Sequence, residues 1–217
     1  MLTVATLLWD ANDKSHSFSR CYNEEWVERL YRGFKRNLTV PFQFMCWTDR
    51  HRGFSDDIHQ AFLSAERPSY ASCIEPFVMD GPMILTGLDT VVLRTIDHLA
   101  AYCMDESNLI ALPRDPYAWH QACNGVCLVP PGKTDIFRKW NGENDMEWLR
   151  RFPHRFIDDL FPDSVVSYKG HVLGQTGQVM RGKPDPRGLT NVDIVYMHGV
   201  PKQHQLTNER WIQENWV

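Results

Sequence analysis

Leu2-Thr3-Val4-Ala5-Thr6-Leu7-Leu8-Trp9, at the start of the chain, decides what kind of fold to expect. A short unbroken run of apolar and β-branched residues reads as a strand buried on both faces, as in the middle of a parallel sheet. The polar stretch Asp10–Ser19 then reads as a loop at the carboxyl end of that strand. Next, Asn23 is suited to cap a helix, and Glu24 and Glu25 suit its positive end. Trp26, Leu30 and Phe34 recur at four-residue spacing, so Asn23–Asn37 is expected to be an amphipathic helix. Pro41 punctuates the chain, and Phe42–Thr48 is a second buried strand.

The same alternation continues outward. Asp49–Ser72 is polar and irregular. Met83–Leu93, interrupted by Gly87 and Asp89, looks like a strand running into a functional loop. Asn108–Leu112, Gly125–Val129, Ser164–Tyr168 and Val192–Met197 are further strands. Ile96–Tyr102, Thr134–Trp140, Asn144–Arg151 and Glu209–Trp216 read as helices, with Asn144 and Glu147 spaced as in a capping box. Gln175–Leu189, rich in glycine and proline, is expected to be a mobile loop. Strands alternating with helices predict an α/β sandwich with a mainly parallel central sheet. No repeat or linker divides the 217 residues, so residues 1–217 are expected to form one domain.

The formal charge of −4 provides no basic field, which argues against nucleic acid or an anionic membrane as partner. A phosphate ligand must then be held by local groups. The six cysteines are scattered without a CxxC pair, so a zinc ribbon or thioredoxin site is not expected, and buried reduced thiols are. The first residues lack a basic leader, and no apolar run reaches the roughly 20 residues of a membrane span. These features predict a cytoplasmic protein.

Dinucleotide and P-loop glycine motifs are absent, as are G-x-S-x-G and H-E-x-x-H. What remains are polar residues at the ends of apolar strands, where ligands bind in open α/β sheets. Asp89, in Leu85-Thr86-Gly87-Leu88-Asp89-Thr90-Val91-Val92, lies between apolar runs. It must emerge at a strand end, meet a partner or bind a cation, because an unpaired buried carboxylate is costly. In Val195-Tyr196-Met197-His198-Gly199-Val200-Pro201-Lys202, an imidazole and a lysine follow a strand, with Gly199 permitting close backbone approach. This suits either a metal–diphosphate site or a structural histidine beside a solvated lysine. Asn124-Gly125 before a strand reads as a turn, and Asp145 as a helix-start acid. Ser167-Tyr168-Lys169 could simply end a strand.

In order and spacing these segments resemble the GT-A fold nucleotide-sugar glycosyltransferases, especially the family 8-like group. The likeness rests on Trp9-Asp10, Tyr22 at a helix start, Thr48-Asp49, and Gly87-Leu88-Asp89 in the place of Asp-x-Asp. It continues through Asn124-Gly125-Val126, Asn144-Asp145-Met146, Ser167-Tyr168-Lys169 and His198-Gly199-Val200-Pro201-Lys202-Gln203. The sequence departs from the group's pattern at Gly87, Met146 and Gln203.

The resemblance implies transfer of a sugar from a nucleoside-diphosphate donor to an acceptor hydroxyl, assisted by a divalent cation, Mn²⁺ or Mg²⁺. It implies Asp89 and His198 as cation ligands and Lys202 on the diphosphate, with Gly199 beside it. Leu7 and Trp9 would flank the nucleoside, Asn124 and Gly125 would line the sugar pocket, and Asp145 would bind sugar hydroxyls or act as base. With one acid and one histidine, diphosphate oxygens and water would have to complete the cation's shell. Lys202 is expected to be an exposed residue that adds little to stability. Two other readings are a nucleotide-sugar-binding module without turnover, supported by Gly87, and a nucleotidyltransferase, disfavoured because Asp10–Arg20 contains no glycine.

Overall fold

A computed structural model describes residues 1–176, 179–180 and 188–217. In chain order the strands are β1 Leu2–Leu8, β2 Phe42–Thr48, β3 Ile58–Phe62, β4 Met83–Thr86, β5 Thr90–Val92, β6 Ile110–Leu112 and β7 Arg114–Asp115. They continue with β8 Ala118–Ala122, β9 Val126–Val129, β10 His154–Phe156, β11 Val165–Ser167, β12 Gln175–Thr176, β13 Val179–Met180 and β14 Ile194–Tyr196. The α-helices are α1 Glu24–Asn37, α2 Asp97–Met104, α3 Asp135–Arg138, α4 Asp145–Leu149, α5 Ile157–Leu160 and α6 Arg210–Asn215.

The main sheet has seven strands in the order β10-β6-β9-β4-β1-β2-β3. The pairs β1/β2, β1/β4, β2/β3 and β10/β6 are parallel, and only β9 runs against both its neighbours. The expected mainly parallel α/β architecture is therefore the one observed. Its alternation is visible residue by residue. Leu2, Val4, Leu8, Ile84, Val126 and Leu128 face one apolar layer with α1 and α2, through Val27, Leu30, Phe34 and Leu99. Ala5, Met83, Leu85, Cys127 and Val129 face the other, under a 3₁₀ segment Tyr70–Val78 and α4, through Ile74, Phe77 and Trp148. Successive strand side chains point to opposite faces, so an unbroken apolar strand requires both layers.

Three sequence expectations change in the structure. Met83–Leu93 is two strands rather than one. β4 lies in the main sheet, and after Gly87-Leu88-Asp89 the chain enters β5, which belongs to a second, three-stranded sheet β11-β14-β5. The run Val192–Met197 provides β14 of that smaller sheet, not a strand of the main one. An apolar strand signals burial but not its partner. The third change is in Asp49–Ser72, which contains β3. As an edge strand with His59 and Phe62 exposed, β3 carries no buried-strand signal. The start of α1 is as expected, with the Asn23 side chain accepting from the Glu25 N–H. Most of Gln175–Leu189, expected to be a mobile loop, lies outside the described residues.

Candidate active site

The topology brings distant polar residues to one edge. β1 and β4 are parallel neighbours, so Trp9 and Gly87 leave the sheet side by side. β9 is antiparallel to β4, with Thr86 opposite Val126, so its amino end brings Asn124-Gly125 to the same edge. In the small sheet, Thr90 pairs with Tyr196 and the Met197 N–H donates to Asp89 O, so His198 follows directly beside Asp89. A cleft of about 230 Å³ opens there. It is lined by Leu7, Trp9, Asp89, Asn124, Gly125, His198, Gly199 and Lys202, together with Tyr22, Tyr70, Cys73, Thr86 and Tyr196.

At the centre is Asp89. Its Oδ2 accepts from the Tyr22 hydroxyl at 3.1 Å and is ion-paired with the Lys202 ammonium. Burial first, and then the Asp89 charge, holds the Tyr22 phenol well above its ordinary range, so it remains a donor. Lys202 is not the exposed lysine that its sequence context suggested: it is 1% exposed. Its stem is enclosed where the chain returns from β14 across the 87–89 turn, and a buried ammonium requires a counter-charge. The following Gln203 is fully buried and donates to Leu88 O at 3.4 Å, which ties the same two segments together.

Gly125 packs so closely on Tyr196 that a β-carbon there would lie 2.4 Å from the ring. Only glycine fits, so the Asn-Gly step is more than a turn. The Thr86 hydroxyl donates to Gly125 O at 3.0 Å and fixes the strand ends. Asp145 does not line the cleft. It is 3% exposed and lies behind Asn124, whose side-chain amide donates to it, while the Met146 N–H donates to its other oxygen at 2.9 Å. Burial pushes its carboxyl up to about 7. Its geometry is that of a group holding Asn124 in place.

His198 is mostly buried, its Nδ1 has no hydrogen-bond partner, and burial lowers its pKa. The Tyr117 and Tyr196 rings stand edge-on to it at 5.8 and 5.3 Å. Gly199 has φ +58, and a β-carbon there would lie 3.5 Å from Lys169 Nζ, which donates to the Tyr117 hydroxyl. Sequence reasoning took Ser167-Tyr168-Lys169 as a strand end. Lys169 in fact sits on the turn that follows β11 and brings a second ammonium to the Gly199 side of the cleft.

Arg52 was also missed. It is 2% exposed and binds Glu24, Asp10 and Asp49 at 2.9, 2.9 and 2.7 Å and the Thr48 hydroxyl at 2.6 Å. It locks the loops after β1 and β2 to the start of α1. Nothing in its polar sequence context distinguishes it from a surface arginine.

This donor set does not fit a resident divalent cation. Asp89 is already met by an ammonium and a phenol, Gly87 contributes no ligand, and among the described lining residues His198 is the one imidazole and no second carboxylate is present. Among the described residues no three His, Cys, Asp or Glu side chains gather into a metal-binding group. Such ions favour several oxygen ligands. Beside an ammonium 4 Å away, the ion would also meet repulsion of about 4 kcal/mol per unit of its charge at an effective dielectric of about 20.

No protein-family model matches the chain, and no curated protein matches it by sequence. Solved structures do match. An active-site mutant of LgtC superposes with a TM-score of 0.60 at 11% identity, over 98% of this chain and 93% of that one. The galactosyltransferase LgtC in complex with donor and acceptor sugar analogues gives 0.54 at 9%, over 99% and 96%. The glycosyltransferase GlyE of Streptococcus pneumoniae TIGR4 gives 0.61 at 12%, over 99% of this chain and 58% of that one. The chain therefore has the GT-A fold of these glycosyltransferases. Among the described residues no helix is long and apolar enough to cross a membrane.

Proposed function

We propose that the protein is a glycosyltransferase that takes a nucleoside-diphosphate sugar in this cleft and passes the sugar to an acceptor hydroxyl. One observation carries the reading: residues from four separate segments, Trp9, Asp89, Asn124 and the loop holding His198 and Lys202, line one cleft at the sheet edge of a GT-A fold. Open α/β sheets bind ligands outside the carboxyl ends of their strands. Trp9 and Leu7 flank the nucleoside. Asn124, held by Asp145, and Gly125 line the sugar. Lys202 and Lys169 face the diphosphate, with Gly199 allowing close approach. In the reaction the bond between the anomeric carbon and the phosphate oxygen breaks, and its electron pair leaves with the diphosphate. The acceptor oxygen bonds the anomeric carbon and releases its proton. Fixed positive groups at the leaving oxygen favour that step. The buried thiols Cys46, Cys103, Cys123 and Cys127 suit the reducing cytoplasm.

Incubation with a panel of UDP-, GDP-, ADP- and dTDP-sugars, with nucleoside diphosphate release as readout, tests the reading. Release that accelerates with a carbohydrate acceptor is the expected result. Binding without release under all conditions would favour the non-catalytic binding module. Absence of both binding and release rejects a nucleotide-sugar site.

A further inference from the structure

We infer that the Lys202 ammonium takes the place of the divalent cation in this cleft, so that nucleoside diphosphates bind without one. This rests on the nucleotide-sugar reading of the same site. Three observations converge on it. Lys202 is 1% exposed and ion-paired to Asp89, at the point where a cation held by that carboxylate would sit. The residue two positions earlier is Gly87, and a β-carbon there would lie 2.6 Å from Asp89 Oδ1. The Asp89 carboxylate thus occupies the space into which a second acid would grow. Third, the orientation is fixed from the other side, because the Tyr22 hydroxyl holds the same oxygen, Oδ2, that meets Lys202.

The charges balance accordingly. Two carboxylates with a divalent cation sum to zero, and one carboxylate with one ammonium also sums to zero. With glycine at position 87, the single Asp89 carboxylate is already neutralised by the single Lys202 ammonium, and a divalent cation added to that pair would bring uncompensated positive charge into the cleft. An arriving diphosphate adds negative charge, which Lys202 shares with Lys169 beside Gly199. An ammonium is a compact charge suited to phosphate oxygens. Unlike a bound ion, it cannot be removed by a chelator.

The test is calorimetric titration of the unmodified protein with UDP, GDP, ADP, CDP and dTDP, each in EDTA, in Mn²⁺ and in Mg²⁺. The expected result is that at least one binds in EDTA with an affinity within about twofold of that in either metal, a difference of about 0.4 kcal/mol. Binding that strengthens more than about tenfold with metal overturns the inference and leaves the nucleotide-sugar reading standing. Binding of none under any condition overturns both. In EDTA, Lys202→Arg should retain binding and Lys202→Met should lose at least about tenfold. Unchanged affinity in a folded Lys202→Met protein also overturns the inference. If that variant does not fold, the titrations of the unmodified protein decide alone.

Discussion

Lys202 and Asp89, 113 residues apart in the chain, form a buried ion pair at the seam between β5 and the end of β14. Removing the lysine leaves Asp89, 18% exposed, with its Oδ2 facing the Tyr22 phenol and no cation. Breaking a buried pair from one side typically costs roughly 3–5 kcal/mol. Lys202→Met, which keeps the apolar stem, should therefore lower unfolding free energy by about 3 kcal/mol in urea titration. The double variant with Asp89→Asn should recover part of that loss, because no lone charge remains. A Lys202→Met protein as stable as its parent would restore the reading of a solvated surface lysine.

Arg52 should be a second stability hot spot. Its guanidinium is shared by Asp10, Asp49 and Glu24, and its loss leaves three carboxylates around the ends of β1 and β2 with the exposed Arg50, paired to Asp10 and Glu24, as their remaining cation. Arg52→Met should cost about 3 kcal/mol or more and make stability salt-dependent, since added salt screens the freed repulsion. Thermal melts across a salt series measure both effects, and a melt indifferent to the substitution would contradict the arrangement.

Gly125→Ala tests the close packing on Tyr196. A β-carbon 2.4 Å from the ring forces the ring or the strand end to move. Overpacking of this kind costs typically about 1–3 kcal/mol. Because Gly125 and Tyr196 both line the cleft, nucleotide affinity should fall with stability. A variant with parental melting temperature and affinity would show that the strand end yields freely.

Asp145 sets a pH dependence whose sign can be worked out. Its carboxyl is raised from 3.8 to about 7 by burial, so between those values the folded protein holds a proton that the unfolded chain releases. Its contribution is complete below about pH 4 and is lost as pH rises through about 7, amounting to roughly 4 kcal/mol at most. Stability should therefore decline between pH 5 and 7 in a way that Asp145→Asn removes, and the two proteins should differ least at low pH. Parallel slopes for the two in urea titrations across this range would show that Asp145 is charged when buried.

Much of the fold is legible in the sequence for a simple reason. β1, β2 and α1 carry their signals locally: an unbroken apolar run demands two covering layers, and Asn23 with Trp26, Leu30 and Phe34 specifies a capped amphipathic helix. The polar residues at strand ends could be named in advance because a strand end is a local property. Their convergence could not. That Met83–Leu93 divides between two sheets, and that Val192–Met197 pairs with β5, depend on pairings between segments far apart in the chain, with Thr86 opposite Val126 and Thr90 opposite Tyr196. Neither Arg52 nor Lys202 differs from a surface cation in its sequence neighbourhood, and Lys169 looks like the end of a strand. Their burial or placement follows from which carboxylates and rings the fold sets against them. The sequence by itself determined the elements and the chemistry available at their ends. Only the tertiary structure decided which charges meet, because a charge in a low-dielectric interior is defined by its partner, and here the partners lie far apart along the chain.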